Sequence, residues 1–355
     1  MPNFSIPLSG LNASDTALAT ISNNLANLNT TGYKDTTVNF QDMFYQLLGS
    51  NGSGDQLQVG AGTSVSSIDT NFAGGTTQGT GVNTDVAITG NGFFVVQNGS
   101  NTYYTRAGDF TRDSNGNLVT ADGYQVMGYP ATNGVIDTNG GLGPISLQDG
   151  TINPPSPTTT MSMTTNLSSG TAVGDTYNTT ITVYDSLGTS HVLSIAFTRT
   201  DTGWSYNATL PSSDLTGATG TNTTVQSGTL TFDTNGQLTS TTPVSFNIAN
   251  LADGASTLKF QWNLADANGQ GLITQVSAAS SNATTQNGYS SGTLTDFSIN
   301  SDGTILGDFT NGTKVLGQIA LANFANLEGL TKQGDNNYAA TISSGSAIPL
   351  GRSFP

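Results

Sequence analysis

The sequence predicts a mainly β protein: two β-rich domains, one inserted in the other, preceded by a long N-terminal α-helix and an extended linker. Three observations carry that expectation. A single heptad-patterned stretch, "SGLNASDTALATISNNLANLNTTGYK" (Ser9 to Lys34), stands at the front of the chain. Asn-Gly and Asp-Gly pairs then punctuate almost everything from Asn91 to Asn311, the turn chemistry of β-hairpins. Finally, two polar low-complexity stretches, "NPPSPTTTMSMTT" (Asn153 to Thr165) and "SAASSNATTQNGYSSG" (Ser277 to Gly292), interrupt the strand pattern.

In the first stretch Leu11, Leu18 and Leu25 recur every seven residues, with Ser14, Ile21 and Leu28 three residues after each. That is the spacing of a helix–helix seam. Ser9 or Asn12 is placed to cap the start, and "NTTG" (Asn29 to Gly32) to stop the helix after about twenty residues, roughly 30 Å of length. The next stretch, "GSNGSGDQLQVGAGTSVSSIDTNFAGGTTQGTG" (Gly49 to Gly81), is too polar and glycine-rich to cover an apolar helix face. Either the helix packs on its own domain, or its partner comes from far along the chain or from another molecule.

Beyond residue 80 the periodicity shortens. "FFVV" (Phe93 to Val96), "NLVT" (Asn117 to Thr120) and "YQVMGY" (Tyr124 to Tyr129) read as strands between turns, and the turn density indicates antiparallel sheet throughout. Between the two low-complexity breaks, "ITVYDSLGTSHVLSIAF" (Ile181 to Phe197) reads as strand, loop, strand, and Leu258, Phe260, Trp262 and Leu264 alternate. The expected organisation is an N-terminal helix and linker (residues 1–70), a β-domain made of 71–145 plus 285–355, and an inserted β-domain (146–284).

Composition narrows the function. The chain has 355 residues, enough for two or three domains, and 8 basic against 23 acidic side chains give a net charge of −15. Such a surface repels nucleic acid and anionic lipid. No apolar run is long enough to insert in a membrane, and "MPNFSIPLSG" carries no cleavable-signal pattern. Cysteine is absent and His191 is the single histidine, which removes thiolate chemistry and most general bases, so no catalytic residue, cofactor or metal site is expected. "DSNGN" (Asp113 to Asn117) and "DTNGQ" (Asp233 to Gln237) begin like calcium loops but have Tyr124 and Val244 where the twelfth-position glutamate belongs, so they read as tight turns. His191, in an alternating strand, reads as a surface or packed histidine. The glycines of "GTGVNTD" and "ITGNGFF" lack the context of phosphate-binding loops.

The opening stretch, with its core "ISNNLANLNTTGYK", closely resembles the N-terminal motif of bacterial flagellar rod, hook and hook-associated axial proteins. "ITGNGFFVV" (Ile88 to Val96) and "YTRAGDFTRDSNGNLVTADGYQVMGY" (Tyr104 to Tyr129) are similar to the β-domain of the same family. "VYDSLGTSHVLSIAF" (Val183 to Phe197) resembles the inserted domain of hook proteins, and "GQIALANFANLEGLTKQGDNNY" (Gly317 to Tyr338) their return through the middle domain. The resemblance implies a structural subunit of the flagellar hook that self-assembles into a flexible, torque-transmitting tube. It implies an inner-layer helix with an assembly seam at Leu11, Leu18, Ile21, Leu25 and Leu28, and carries Asn23, Asn24, Asn27, Gly32 and Tyr33 as motif residues.

The implied partners are other copies of the chain and the rod, hook-cap and hook–filament junction proteins. The implied location is the extracellular flagellum, reached by flagellar type III export without a cleavable signal. Family members continue beyond "SSG" (Ser343 to Gly345) into a C-terminal helix where this chain reads "SAIPLGRSFP", so the resemblance implies that this helix is lacking. A flagellar rod subunit shares the first motif without a large insertion, and a secreted β-rich adhesin or carbohydrate-binding protein shares the Thr/Asn/Gly-rich acidic composition. Both stand as alternatives.

Overall fold

The computed structural model describes residues 5–350. Its one α-helix among these, α1, runs Ser5–Ala26. It begins ahead of Ser9 and Asn12, which therefore lie within it and cap nothing; Pro7 is accommodated in the first turn, where a missing N–H costs no hydrogen bond. Ser9 Oγ instead donates to the Ile6 carbonyl at 2.7 Å and accepts from the Thr63 amide at 3.3 Å. The helix ends three residues before "NTTG", in successive turns from Asn27 that close at Gly32 with φ +72°. Leu28 thus follows the helix. No helix among the described residues is long and apolar enough to cross a membrane.

Residues 36–70 differ from the expected linker. They form a nested β-ribbon: β1 (Thr36–Asp42) pairs antiparallel with β4 (Thr63–Thr70), and beyond them β2 (Tyr45–Ser50) pairs with β3 (Gln56–Gly60). Thr36, Thr37, Val38, Thr63, Val65 and Ile68 supply β-branched residues suited to an extended backbone. At the tip, Asn51 Oδ1 accepts the amides of Ser53 and Asp55 and so makes the turn. Glycine and serine content masked this strand pattern in the sequence.

By chain contacts the protein divides into two compact units. The first holds the described residues up to Thr151, together with Leu294–Asp308 and those from Thr313 on; the second holds Ile152–Thr293 and Phe309–Gly312. In the first unit the strand Phe93–Asn98 lies among Asn101–Thr105, Gln125–Thr132 and Leu321–Asn323. Because successive side chains alternate across a sheet, Phe94 and Val96 enter one core with Phe110, Leu118, Val126 and Ile145, while Phe93 and Val95 enter another with Tyr104, Phe324 and Tyr338. Burial on both faces explains the unbroken "FFVV" run.

The second unit is built from two sheets over a single core. One is a meander of Thr176–Tyr184, Ser190–Thr200, Gly203–Pro211 and Asn222–Leu230. The other contains Val244–Ile248, Leu258–Asn263, Thr160–Asn166, Ile273–Thr274 and Ser281–Gln286. Here the expectation of antiparallel sheet throughout fails. Thr160–Asn166 runs parallel to Leu258–Asn263 and to Ile273–Thr274. These strands meet across about a hundred residues of chain, so no hairpin turn joins them and turn signals could not report the pairing. His191 is packed, 4% exposed.

Four turns share one construction. In "DSNGN", "DSLGT", "DTNGQ" and "DANGQ" an aspartate Oδ1 (Asp113, Asp185, Asp233, Asp266) accepts the amides two and four residues on, and a glycine three residues on takes φ between +75° and +85°. Each closes a hairpin.

Trp262, fully buried between the sheets, packs edge-on to Phe197 (6.2 Å) and Tyr206 (5.2 Å). Trp262→Ala is expected to destabilise the second unit by about 3–5 kcal/mol in denaturant titration followed by near-UV circular dichroism. A loss below about 1 kcal/mol would mean the two sheets do not share that core.

Candidate assembly site

The faces of α1 are unequal. Those turned toward β1 and β4 carry Ser9, Ala13, Thr16, Ala17, Thr20 and Asn24, small or polar residues at three- and four-residue spacing, with Ala13 buried. Small side chains permit close approach: at Gly62, φ +110°, an added Cβ would collide with Ser9. Thr16 and Thr20 satisfy their hydroxyls on the carbonyls of Asn12 and Thr16. The leucines point away. Leu11, Leu18, Ile21, Leu25 and Leu28 are 62% to 75% exposed, and Leu8 joins them. Leu11, Leu18, Ile21 and Leu25 share one side of the helix and Leu28 lies beyond its end, while the helix rests on its own ribbon through the opposite side.

The motif residues after the stripe form a joint. Asn24 bridges to the start of β1 in both directions, its Nδ2 donating to the Thr36 carbonyl (2.8 Å) and its Oδ1 accepting the Thr36 amide (3.1 Å). Tyr33 donates its hydroxyl to Asn24 Oδ1 at 3.0 Å and accepts from Asn23 at 3.2 Å, while Asn27 reaches back to the Asn23 carbonyl at 3.0 Å. The chain thereby reverses from helix to ribbon within ten residues. Gly32 lies flat against Arg106 and Ala107, where an added Cβ would stand 2.5 Å from the Ala107 nitrogen. Asn336 donates to the Thr31 carbonyl at 2.9 Å and its own carbonyl accepts the Thr105 hydroxyl at 3.0 Å.

Charge concentrates at this joint. Lys34, buried, donates to the Ala73 carbonyl at 2.6 Å, and its pKa is lowered by burial and then by nearby Arg106. Arg106, also buried and lowered by desolvation, lies over the Phe93 ring at 5.3 Å. Burial pushes Tyr338 up to about 12. A cavity of about 210 Å³ opens beside Lys34 and Tyr338, lined also by Asn27, Tyr33, Lys332 and Asn336 among others.

Of the residues singled out in the sequence, Asn23, Asn24, Asn27, Gly32 and Tyr33 meet in one place, and the five stripe residues form one surface. Lys34, Thr36, Arg106 and Asn336 carried no role there. A signal for Asn336 existed: Asp335 and Asn336 both take positive φ, the two-residue turn that "GDNN" favours between Thr331–Gly334 and Asn337–Ala339.

Comparison with known proteins places these parts. Residues 6–34 match the family described as flagella basal body rod protein, 87–167 the flagellar hook protein FlgE/F/G D1 domain, and 158–289 the flagellar basal body protein FlaE D2 domain. The flagellar hook protein FlgE of Salmonella typhimurium is 40% identical over 98% of this chain and 85% of its own length. This chain belongs to the flagellar hook protein FlgE family. It is a structural subunit of the bacterial flagellar hook, a part of the motility apparatus. The rod alternative is not favoured: a basal-body rod protein FlgG of Bacillus subtilis, 42% identical, matches only 34% of the chain. Nor is the adhesin reading, which leaves the hook relatives unexplained. A solved Helicobacter pylori hook protein, FlgE2, shares the fold with TM-score 0.56 at 14% identity, covering 75% of this FlgE-family chain and 94% of its own.

Gly32→Ala combines a strained φ with a backbone collision, and is expected to cost about 1–3 kcal/mol at the joint. Limited proteolysis should then cut between residues 32 and 72 several-fold faster than in the parent. Asn24→Ala, which leaves the Thr36 backbone groups unpaired, should act in the same direction by about 1–3 kcal/mol.

Proposed function

We propose that the chain assembles with copies of itself into the hook tube through α1, with Leu11, Leu18, Ile21, Leu25 and Leu28 as the seam. The observation that supports this is the orientation of the helix: its small-residue face is spent on the ribbon and its leucine stripe is left to water. Full burial of each such side chain is worth about 1.5–3 kcal/mol, so a contiguous stripe is a costly surface for a subunit to keep unless neighbours cover it. Heptad spacing suits helices of neighbouring copies as the cover.

In this reading residues 1–70 line the tube's inner layer, with residues 71–145 and 285–355 as a middle β-domain and 146–284 as an outer one. The joint at Asn24, Gly32 and Tyr33 sets the angle between helix and β-domain, and the tube transmits torque from motor to filament. Its ends meet the rod, the hook cap and the hook–filament junction proteins, and subunits reach the extracellular flagellum by type III export.

Leu18→Asp with Leu25→Asp is expected to abolish tube formation seen by electron microscopy under polymerising conditions, while shifting the thermal unfolding of the β-units by less than about 1 °C, since neither side chain is buried. Tubes of normal yield from the double variant would remove the seam assignment.

A further inference from the structure

The second unit holds an ionic cluster around buried His191 and Asp185 that the assembly reading does not use. His191, on Ser190–Thr200, has a carboxylate at each ring nitrogen: Asp214 Oδ2 at 2.9 Å from Nδ1, and Asp185 Oδ2 at 3.1 Å from Nε2. Asp185 is fully buried and cannot turn away, because its Oδ1 holds the amides of Leu187 and Thr189 at 2.8 and 2.9 Å. It belongs to the fourfold aspartate turn, but here the second oxygen is directed inward onto an imidazole. Asp253 lies beside them, one of its oxygens within 4.8 Å of a His191 nitrogen and of an Asp185 oxygen.

Neutral imidazole carries a single N–H, and its other nitrogen presents a lone pair. A lone pair facing a carboxylate at about 3 Å is repulsive, so acceptors on both nitrogens require both protons. The position of the ring gives that protonation structural leverage. Asp185 stands in the turn joining the first two strands of the meander, and Asp214 ends a 3-10 turn, Ser212–Asp214, after the third. The loop between Val244–Ile248 and Leu258–Asn263 of the other sheet bonds to both: the Ala252 amide to the Asp214 carbonyl at 2.9 Å, and the Ser256 amide to Ser186 Oγ at 3.1 Å.

We propose that Asp185, His191 and Asp214, with Asp253 beside them, form a proton-operated clamp that closes one end of the second unit's two sheets, holding while the ring carries both protons and loosening when it loses one. Burial opposes the charge on the ring, but hydrogen bonds to Asp214 and then Asp185, with the fields of the same two carboxylates, outweigh it and raise the pKa above the ordinary 6.5. Asp253, coupled to Asp185 and taking hydrogen bonds from Thr189 and the Ala255 amide, is held down to about 2. Since the folded value exceeds the unfolded one, the clamp's contribution is complete below about pH 6.5 and is lost as pH rises through the folded value.

Because His191 is the chain's single histidine, its ring gives one titrating signal in the full-length protein labelled with 13C-histidine. The expected midpoint lies above 6.5, and Asp214→Asn should lower it. Denaturant unfolding from pH 6 to 9 should show the wild type's advantage over His191→Gln shrinking, by tenfold in the unfolding constant for each unit that the midpoint is raised. A midpoint at or below 6.5, or an advantage independent of pH, would overturn the clamp; if His191→Gln fails to fold, the wild-type midpoint alone decides. Zinc chloride at equimolar concentration should leave the signal in place at pH 6.5; zinc-dependent loss of the signal with raised resistance to unfolding would make the cluster a metal site instead.

Discussion

Among the described residues nothing covers the leucine stripe of α1, and the N-terminal architecture follows from that constraint. A helix of 22 residues gains little from hydrogen bonding alone, since nucleation is costly and most helical stability in proteins comes from packing one face. Here the packed face is the small one. Ala13, Thr16, Ala17 and Thr20 let the helix lie close on β1 and β4, so the ribbon holds α1 in place without consuming the apolar surface. A ribbon with large apolar residues facing the helix would have attracted the leucines inward.

The joint gives that arrangement a fixed direction. Three segments far apart in sequence, "NTTGYK", "YTRAG" and "TKQGDNNY", meet around Gly32 because a side chain there would collide with the backbone of Arg106 and Ala107. Asn24 behaves as a piece of backbone, giving and accepting one bond with Thr36 as a paired strand would. Lys34 and Arg106 are buried cations; Lys34 donates to a carbonyl, while Arg106 lies over an aromatic face with its Nε left without a partner. Such groups are poor choices for stability and good ones for specifying a single geometry, which a subunit repeated along a tube requires.

Turn chemistry connects the two units' construction. The Asp-x-x-Gly turn recurs at Asp113, Asp185, Asp233 and Asp266 with the same hydrogen bonds and the same left-handed glycine. At Asp185 the turn is buried, and the oxygen left over after the amides are served becomes an ionic partner for His191. One local device thus serves as a hairpin closure in one place and as part of a buried ionic bridge in another, and burial is what separates the two uses.

Local signals in the chain sufficed for the elements whose cause is local. Heptad spacing placed α1, Asn-Gly and Asp-Gly pairs placed the hairpins, and alternation at Leu258, Phe260 and Trp262 placed a strand with one face in the core. Turn chemistry beside the helix end pointed to Gly32, while Asn24 and Tyr33 were marked only by the resemblance of "ISNNLANLNTTGYK" to flagellar axial proteins. Long-range contact settled the rest. Which face of α1 meets the ribbon depends on the small residues being opposite β1 and β4, and periodicity in the helix says nothing of its neighbour. The parallel pairing of Thr160–Asn166 joins strands about a hundred residues apart, beyond the reach of any turn signal. His191 looked like an ordinary strand residue, because Asp185, Asp214 and Asp253 converge on it from three separate loops that only packing brings together.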